Sequence, residues 1–344
     1  GGASDSGGDA APDSGTAPDA AADASAPLCA PSPPPSCDAA PPDPGATSAW
    51  RHPVASRFSA SAGAQRHRGR DLFLREGDAQ WALAKFAYGS TDKDLKDEQV
   101  RIWLDRGCAG TWELLGTSLT TNDGDHADVY GVTDTGGWVF FPIPDSARLG
   151  VGRHRLHFAV AGDLSTTDQL IEVLPPEAHV VVSDVDGTLT ESETAEFLTL
   201  VSGPSPAAND GAPEVLWALA RRGYRIFYLT ARPEWLATRT HEWLSERGFP
   251  PGLVHTTLGF MGATGAAATR FKAGELRALD AVLSQPPDWG FGNKPSDAEA
   301  YAGDAIPAAH RLLYQMTGDA MGGVVFDDYR ALLTDAEAAP LVCR

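Results

Sequence analysis

The first 47 of the 344 residues contain no lysine or arginine and almost no bulky apolar side chain; Ala, Asp, Ser, Gly and Pro make up nearly all of them. A segment of that composition cannot bury enough surface to offset the entropy of ordering it, so residues 1–47 read as a disordered tail. Basic residues are scarce in the chain as a whole, where 27 Lys and Arg face 46 Asp and Glu for a net charge of −19. Seven aspartates of the tail (Asp5, Asp9, Asp13, Asp19, Asp23, Asp38 and Asp43) supply 7 of these charges, and 19 − 7 leaves 12 on the remainder. An acidic surface argues against sequence-independent binding to DNA or RNA, which needs clustered Lys and Arg. The same sign opposes anionic membranes unless a local basic or apolar patch overrides it, so peripheral membrane contact stays open. The sequence has no run of 18 apolar residues, and none of its segments reads as a spanning helix.

Cysteine is also sparse: Cys29 and Cys37 lie in the Pro-rich tail, and Cys108 and Cys343 lie beyond it. No pair has C-x-x-C spacing, which disfavours a zinc site, while an even number permits two disulfides in any of three connectivities. With a chain that starts at Gly1 rather than Met and opens on a polar tether, this predicts an exported protein, periplasmic, cell-surface or secreted, with its signal peptide removed. A lipid anchor ahead of Gly1 would fit the same expectation.

From about Arg70 to Leu174 short apolar runs alternate with turn signals such as Asn122-Asp123-Gly124 and Asp134-Thr135-Gly136-Gly137. Strands are expected at 79–88, 100–104, 111–117, 129–132, 138–143, 154–160 and 169–174, and seven short strands over residues 70–175 predict an immunoglobulin-like β-sandwich. After Pro175-Pro176 strands and helices alternate. Strands are expected at 179–183, 224–229, 253–256, 289–292 and 311–314, and helices at 213–222, 234–247, 270–283 and 296–302. That order predicts a three-layer α/β domain over residues 176–344, with ligands at the carboxyl ends of its strands.

Three loops begin where predicted strands end. The first is Asp184-Val185-Asp186-Gly187-Thr188-Leu189-Thr190. A lone D-x-D is usually a solvated turn, but here a buried strand precedes it and Gly187 turns the chain away, so both carboxylates can enter one pocket. One carboxylate can attack phosphorus and the other can move a proton. The second loop, Thr230-Ala231-Arg232-Pro233, offers a hydroxyl, helix-start N–H groups and a guanidinium to a phosphate, or merely caps the next helix. The third, Gly292-Asn293-Lys294-Pro295-Ser296-Asp297, offers amide and carboxylate oxygens of the kind Mg²⁺ takes, or is an ordinary turn. Lys272 can balance the negative charge or sit in solvent.

Together these residues resemble the haloacid-dehalogenase (HAD) superfamily. More narrowly, VVSDVDGTLTES, FYLTARPEWLATRTHEWLSERGFPPG and FGNKPSDAEAY resemble the lipin-type domain of phosphatidate phosphatases and of membrane-associated phosphatidylinositol transfer proteins, over about Ala178 to Tyr329. The resemblance implies a HAD-like fold, Asp184 as nucleophile and Asp186 as acid and base. It implies phosphate contacts from Thr230, Ala231, Arg232 and Lys272. It also implies Mg²⁺ held by Asp184, the Asp186 carbonyl and Asn293, with Asp297 in support. The transfer-protein branch is associated with binding phosphatidic acid and has a degraded nucleophile motif, whereas both aspartates are present here. Within residues 1–344 neither a lipin amino-terminal domain nor a basic amphipathic helix is expected. Only some twenty residues between Thr190 and Pro213 are available for a cap, which suits a bulky or surface-held monoester. The expected function is Mg²⁺-dependent hydrolysis of a phospholipid monoester; a phosphatidic-acid-binding module without turnover and a broad phosphomonoesterase are the alternatives.

Overall fold

The computed structural model describes residues 35–191 and 206–342. The tail up to residue 34, most of the expected cap segment, Cys29 and Cys343 lie outside the described residues. In chain order the first strands are β1 (Arg68–Gly69), β2 (Leu72–Arg75), β3 (Trp81–Lys85), β4 (Ala87–Tyr88), β5 (Lys93–Asp94), β6 (Gln99–Asp105), β7 (Trp112–Leu119), β8 (Trp138–Pro142), β9 (Gly152–Val160) and β10 (Thr166–Leu174). They form a three-stranded sheet ordered β1-β3-β8, a five-stranded sheet ordered β2-β10-β9-β6-β7, and the short pair β4-β5. Leu83, Phe86, Val139, Ile102, Leu156 and Phe158 fill the core of this β-sandwich region.

The expected strand at 129–132 is absent: Val129 and Val132 form a single bridge to each other, closing a turn. β2 was not foreseen, because Leu72-Phe73-Leu74 has no polar alternation. Leu72 and Leu74 face the sandwich core while Phe73 faces the other half of the molecule, so both sides of this strand are covered. A helix at Pro53–Ala60 was likewise unforeseen. Residues 35–47, expected to be part of a disordered tail, are bound to the sandwich instead. Cys37 is disulfide-linked to Cys108. Arg155 donates to the carbonyls of Cys37 and Ala39 at 2.8 and 2.9 Å, and the Trp112 indole donates to that of Ala40 at 2.8 Å. Composition misled there because the partners are supplied by distant sandwich residues.

The second half is built on β11 (Val180–Ser183), β12 (Arg225–Leu229), β13 (Leu253–His255), β14 (Trp289–Gly292), β15 (Arg311–Tyr314) and β16 (Val324–Phe326). These form one sheet, ordered β13-β12-β11-β14-β15-β16, with every pairing parallel. β11 and β12 are buried at every position, as strands covered on both faces must be. Val181 and Tyr228 pack on one face with Leu216, Leu219 and Trp243 of two helices; Val180, Val182 and Phe227 pack on the other with Leu276 and Leu279 of the helix Gly265–Asp280. That helix starts five residues before the expected Arg270, so Lys272 lies inside it rather than at its start. The expected helix at 234–247 divides into a 3-10 turn at Glu234–Leu236 and an α-helix at Ala237–Glu246. β16 is short and exposed, and it was not among the expected strands.

Phe73 and Leu174 of the sandwich belong to the same apolar cluster as Val180, Phe227 and Leu253, and the Phe73 and Phe227 rings meet edge to face at 5.0 Å. Buried ion pairs cross the same boundary. Glu172 of β10 accepts from Arg153 of β9 at 2.8 Å and from Arg225 of β12. Burial alone pushes the Glu172 carboxyl up, but the two guanidiniums outweigh it and hold the group at about 2.

Candidate active site

All three loops singled out in the sequence emerge from carboxyl ends of the parallel sheet: Asp184 follows β11, Thr230 follows β12 and Asn293 follows β14. β11 lies between β12 and β14, so chain order runs outward from it in both directions. This is the switch point at which ligands of such sheets gather.

Asp184 is the most deeply set group. Its backbone N–H donates to the Phe291 carbonyl at 2.8 Å, tying the loop to β14. One carboxylate oxygen accepts from the Lys272 ammonium at 2.6 Å and the other from the Thr188 hydroxyl at 3.1 Å. Burial lifts the Asp184 carboxyl to about 6; the Lys272 charge opposes that lift, while Asp297 and Asp186 add to it. Burial pushes the Lys272 ammonium down, but the carboxylates of Asp184 and Asp297 more than reverse this and its pKa stands above the usual lysine value. The two groups face each other as a buried ion pair.

Asp186 turns the other way and keeps about a quarter of its side chain exposed. The Arg232 guanidinium grips it through two nitrogens at 2.7 and 3.0 Å, and the Thr230 hydroxyl donates to it at 3.0 Å. Arg232 is buried, with a further bond to Thr240 at 3.0 Å. The structure thus gathers these side chains at neighbouring strand ends as two hydrogen-bonded sets, Asp184 with Lys272 and Asp186 with Thr230 and Arg232. Ala231 lies between Thr230 and Arg232 in the second loop, and its carbonyl accepts from the Ala263 N–H at 2.9 Å.

Asp297 is fully engaged. One oxygen accepts from Lys272 and the other from the backbone N–H groups of Asn293 and Lys294, each at 3.0 Å. It fixes the third loop and the Lys272 ammonium, a supporting position beside Asp184. Among the described residues no group of three or more His, Cys, Asp or Glu forms a metal cage. The remaining donors are the Asp184 carboxylate, the Asp186 carbonyl and the Asn293 amide, all hard oxygens. Such a set fits Mg²⁺, which takes few protein ligands and retains several waters.

Several supporting residues had no local signal. Asn209 donates to the carbonyls of Thr188 and Thr190 at 2.7 and 3.1 Å, and the Tyr329 hydroxyl donates to that of Thr188 at 3.0 Å. The segment Arg68–Asp71 of the sandwich touches the surroundings of every phosphate-contact candidate. Arg68 pairs with Glu234 at 3.0 Å, just past Arg232. Arg70 pairs with Glu275 at 2.8 Å, on the helix of Lys272. Asp71 accepts from His241 and from the Val254 N–H, each at 2.9 Å. The carbonyl of His255, beside Val254, accepts from the Thr230 N–H at 3.0 Å.

Comparison with known proteins finds a match for part of each of the two regions. Residues 181–312 match the family described as the LNS2 domain of PITM 1-3, and residues 65–130 match that described as the PITM 1-3 beta-sandwich domain. The chain is similar to protein retinal degeneration B of Drosophila melanogaster, 33% identical over 193 residues, which is 56% of this chain and 14% of that protein. It is also similar to human membrane-associated phosphatidylinositol transfer protein 2, 32% identical over 190 residues, covering 55% of this chain and 13% of the relative. Human membrane-associated phosphatidylinositol transfer protein 1 is 29% identical over 238 residues, 69% of this chain and 17% of its own length. The chain thus spans less than a fifth of each of these relatives.

Proposed function

We propose that the chain is a Mg²⁺-dependent phosphomonoester hydrolase of HAD-like fold that acts through an aspartyl-phosphate, with phosphatidate or a related phospholipid as substrate. In this reading the sandwich is immunoglobulin-like and serves as the support of the site. The observation that carries it is Asp184: a buried, charged carboxylate at the end of the central strand, held on one oxygen by Lys272 and on the other by Thr188. A solvated turn has no use for such a setting.

An Asp184 oxygen attacks phosphorus, the bond to the leaving oxygen breaks, and Asp186 delivers a proton to that oxygen. Water then attacks the phosphorus of the acyl phosphate, Asp186 takes its proton, and phosphate leaves as Asp184 is restored. In this reading Thr230, Ala231, Arg232 and Lys272 are the groups that supply donors and positive charge to the phosphoryl oxygens. Mg²⁺, held by Asp184, the Asp186 carbonyl and Asn293, would supply neutralisation of the phosphate charge. A lipid substrate is supported by the names of the similar proteins, which are phosphatidylinositol transfer proteins. The Cys37–Cys108 disulfide supports an oxidising compartment and hence export.

A second reading, a phosphatidic-acid-binding module without turnover, is favoured by the grip of Arg232 on Asp186 and by the same transfer proteins. Hydrolysis of p-nitrophenyl phosphate with and without Mg²⁺ separates the two. Under the hydrolase reading the wild type turns over only with Mg²⁺, and Asp184→Asn, which keeps the shape but loses the attacking charge, abolishes turnover and phospho-enzyme. Wild-type activity in Asp184→Asn would remove the nucleophile assignment; a wild type inert on aryl phosphate and phosphatidate alike would leave the binding module.

A further inference from the structure

We propose that the loop carrying Phe260 and Met261 is a membrane-docking tip beside the site, and that its partner is a phospholipid bilayer bearing phosphomonoester headgroups; the choice of lipid rests on the function proposed above.

The loop follows β13 and leads into the helix of Lys272. Residues 256–269, TTLGFMGATGAAAT, contain no Asp, Glu, Lys or Arg, in a chain that carries 46 acidic and 27 basic residues. At its apex Met261 is 81% exposed and Phe260 48% exposed. Their exposure is not that of a slack loop, because the backbone beneath them is bonded on both sides. The Trp235 indole donates to the Phe260 carbonyl at 2.9 Å, and the Glu234 N–H donates to that of Gly259 at 3.2 Å. The Ala263 N–H donates to the Ala231 carbonyl at 2.9 Å. Gly262 has φ +71°, and a Cβ there would meet the Ala231 carbonyl oxygen at 2.7 Å. Two apolar side chains are thus held outward on a frame tied to the Thr230–Arg232 loop itself.

The surroundings match a bilayer surface. Trp235 packs against Phe260 with ring centroids 6.3 Å apart, and the Arg66 guanidinium lies 4.0 Å over the indole. An aromatic ring under an apolar tip, with a cation above it, suits the level of lipid headgroups. The neighbouring acid, Glu234, is drawn inward to Arg68 at 3.0 Å. Arg270 lies exposed just beyond the charge-free stretch. The only carboxylate bonded to that stretch among the described residues is Glu299, which accepts from Thr269 at 3.1 Å, at its far end from the tip. Repulsion between an acidic protein and an anionic bilayer is screened beyond about 8 Å at physiological salt, so a local uncharged contact with flanking cations suffices for approach.

The test is sedimentation of the full chain with vesicles of phosphatidylcholine, with and without phosphatidate, comparing wild type and Phe260→Ser/Met261→Ser. Both substituted side chains are exposed and outside the proposed catalytic set, and an unchanged melting temperature verifies the fold. The expected result is phosphatidate-dependent sedimentation of the wild type and about tenfold or greater loss in the variant, with equal rates of both proteins on soluble aryl phosphate. Equal sedimentation of the two proteins, no sedimentation of the wild type, or a concentration-dependent dimer that only the variant abolishes would each overturn the tip. In any of these cases aryl phosphate hydrolysis would still uphold the hydrolase reading. Loss of sedimentation in the variant with no hydrolysis by the wild type would uphold the tip and remove that reading.

Discussion

Lys272 illustrates what one side chain contributes. Its ammonium is buried between Asp184 and Asp297, and Asp297 in turn holds the backbone of the Asn293 loop. Lys272→Met keeps most of the apolar stem and leaves two buried carboxylates facing each other without a counter-charge. Breaking a buried pair in this way costs about 3–5 kcal/mol, so the urea midpoint should fall markedly even with no ligand present. An unchanged midpoint would mean that the pair is not buried as described. The site was legible at this scale where strand ends announced it: Asp184, Asp186, Thr230 and Asn293 all sit directly after runs readable as buried strands. Arg232 and Asp297 were legible as participants but not in what they do, because an ion pair between the first and second loops leaves no trace in the spacing of either. Asn209, Arg70 and Asp71 were illegible for the same reason, since their partners lie far along the chain.

Among elements, the segment before β1 carries a titrating group whose effect has a definite sign. His67 is buried against Phe86 and Tyr88. Its Nδ1 accepts from the Ala87 N–H at 3.2 Å, so the proton is on Nε2, which donates to Ser165 at 2.8 Å. Burial, the largest influence, pushes its pKa from 6.5 down to about 4. Between those values the unfolded chain binds a proton that the folded chain refuses, so this contribution is complete above pH 6.5 and is lost as pH falls toward 4. The loss is roughly 3 kcal/mol. Stability measured by urea from pH 7 to 4 should decline in the wild type and decline less in His67→Gln; parallel curves would show that His67 charges freely in the fold. The elements themselves were legible where burial pattern and period agreed, as in β9, β11 and β12. They were illegible where a strand is covered on both faces by different domains, as in β2, or is short and exposed, as in β16.

At the scale of the molecule, the sandwich and the parallel sheet share a boundary that neither half satisfies alone. Removing the sandwich leaves Phe227 without Phe73, and Arg225 without Glu172. It also leaves Glu275 without Arg70, and the Val254 N–H and His241 without Asp71. The Glu275 carboxyl sits near 2: burial raises it, and Arg70 with His255 more than compensates. Without Arg70 that compensation is reduced in the helix that carries Lys272. The fragment from Pro176 to Arg344 should therefore unfold at a lower denaturant concentration than the full chain and aggregate as it does, because it exposes an apolar face together with stranded charges. Arg70→Ala in the full chain isolates one part of the effect. It leaves the apolar boundary in place, so the protein should remain soluble while its unfolding free energy falls by about 3 kcal/mol or more and its midpoint falls with it. A fragment as stable and soluble as the whole chain would show that the two halves are independent domains that merely touch. An Arg70→Ala protein with an unchanged midpoint would place the coupling in the apolar contact around Phe73 alone.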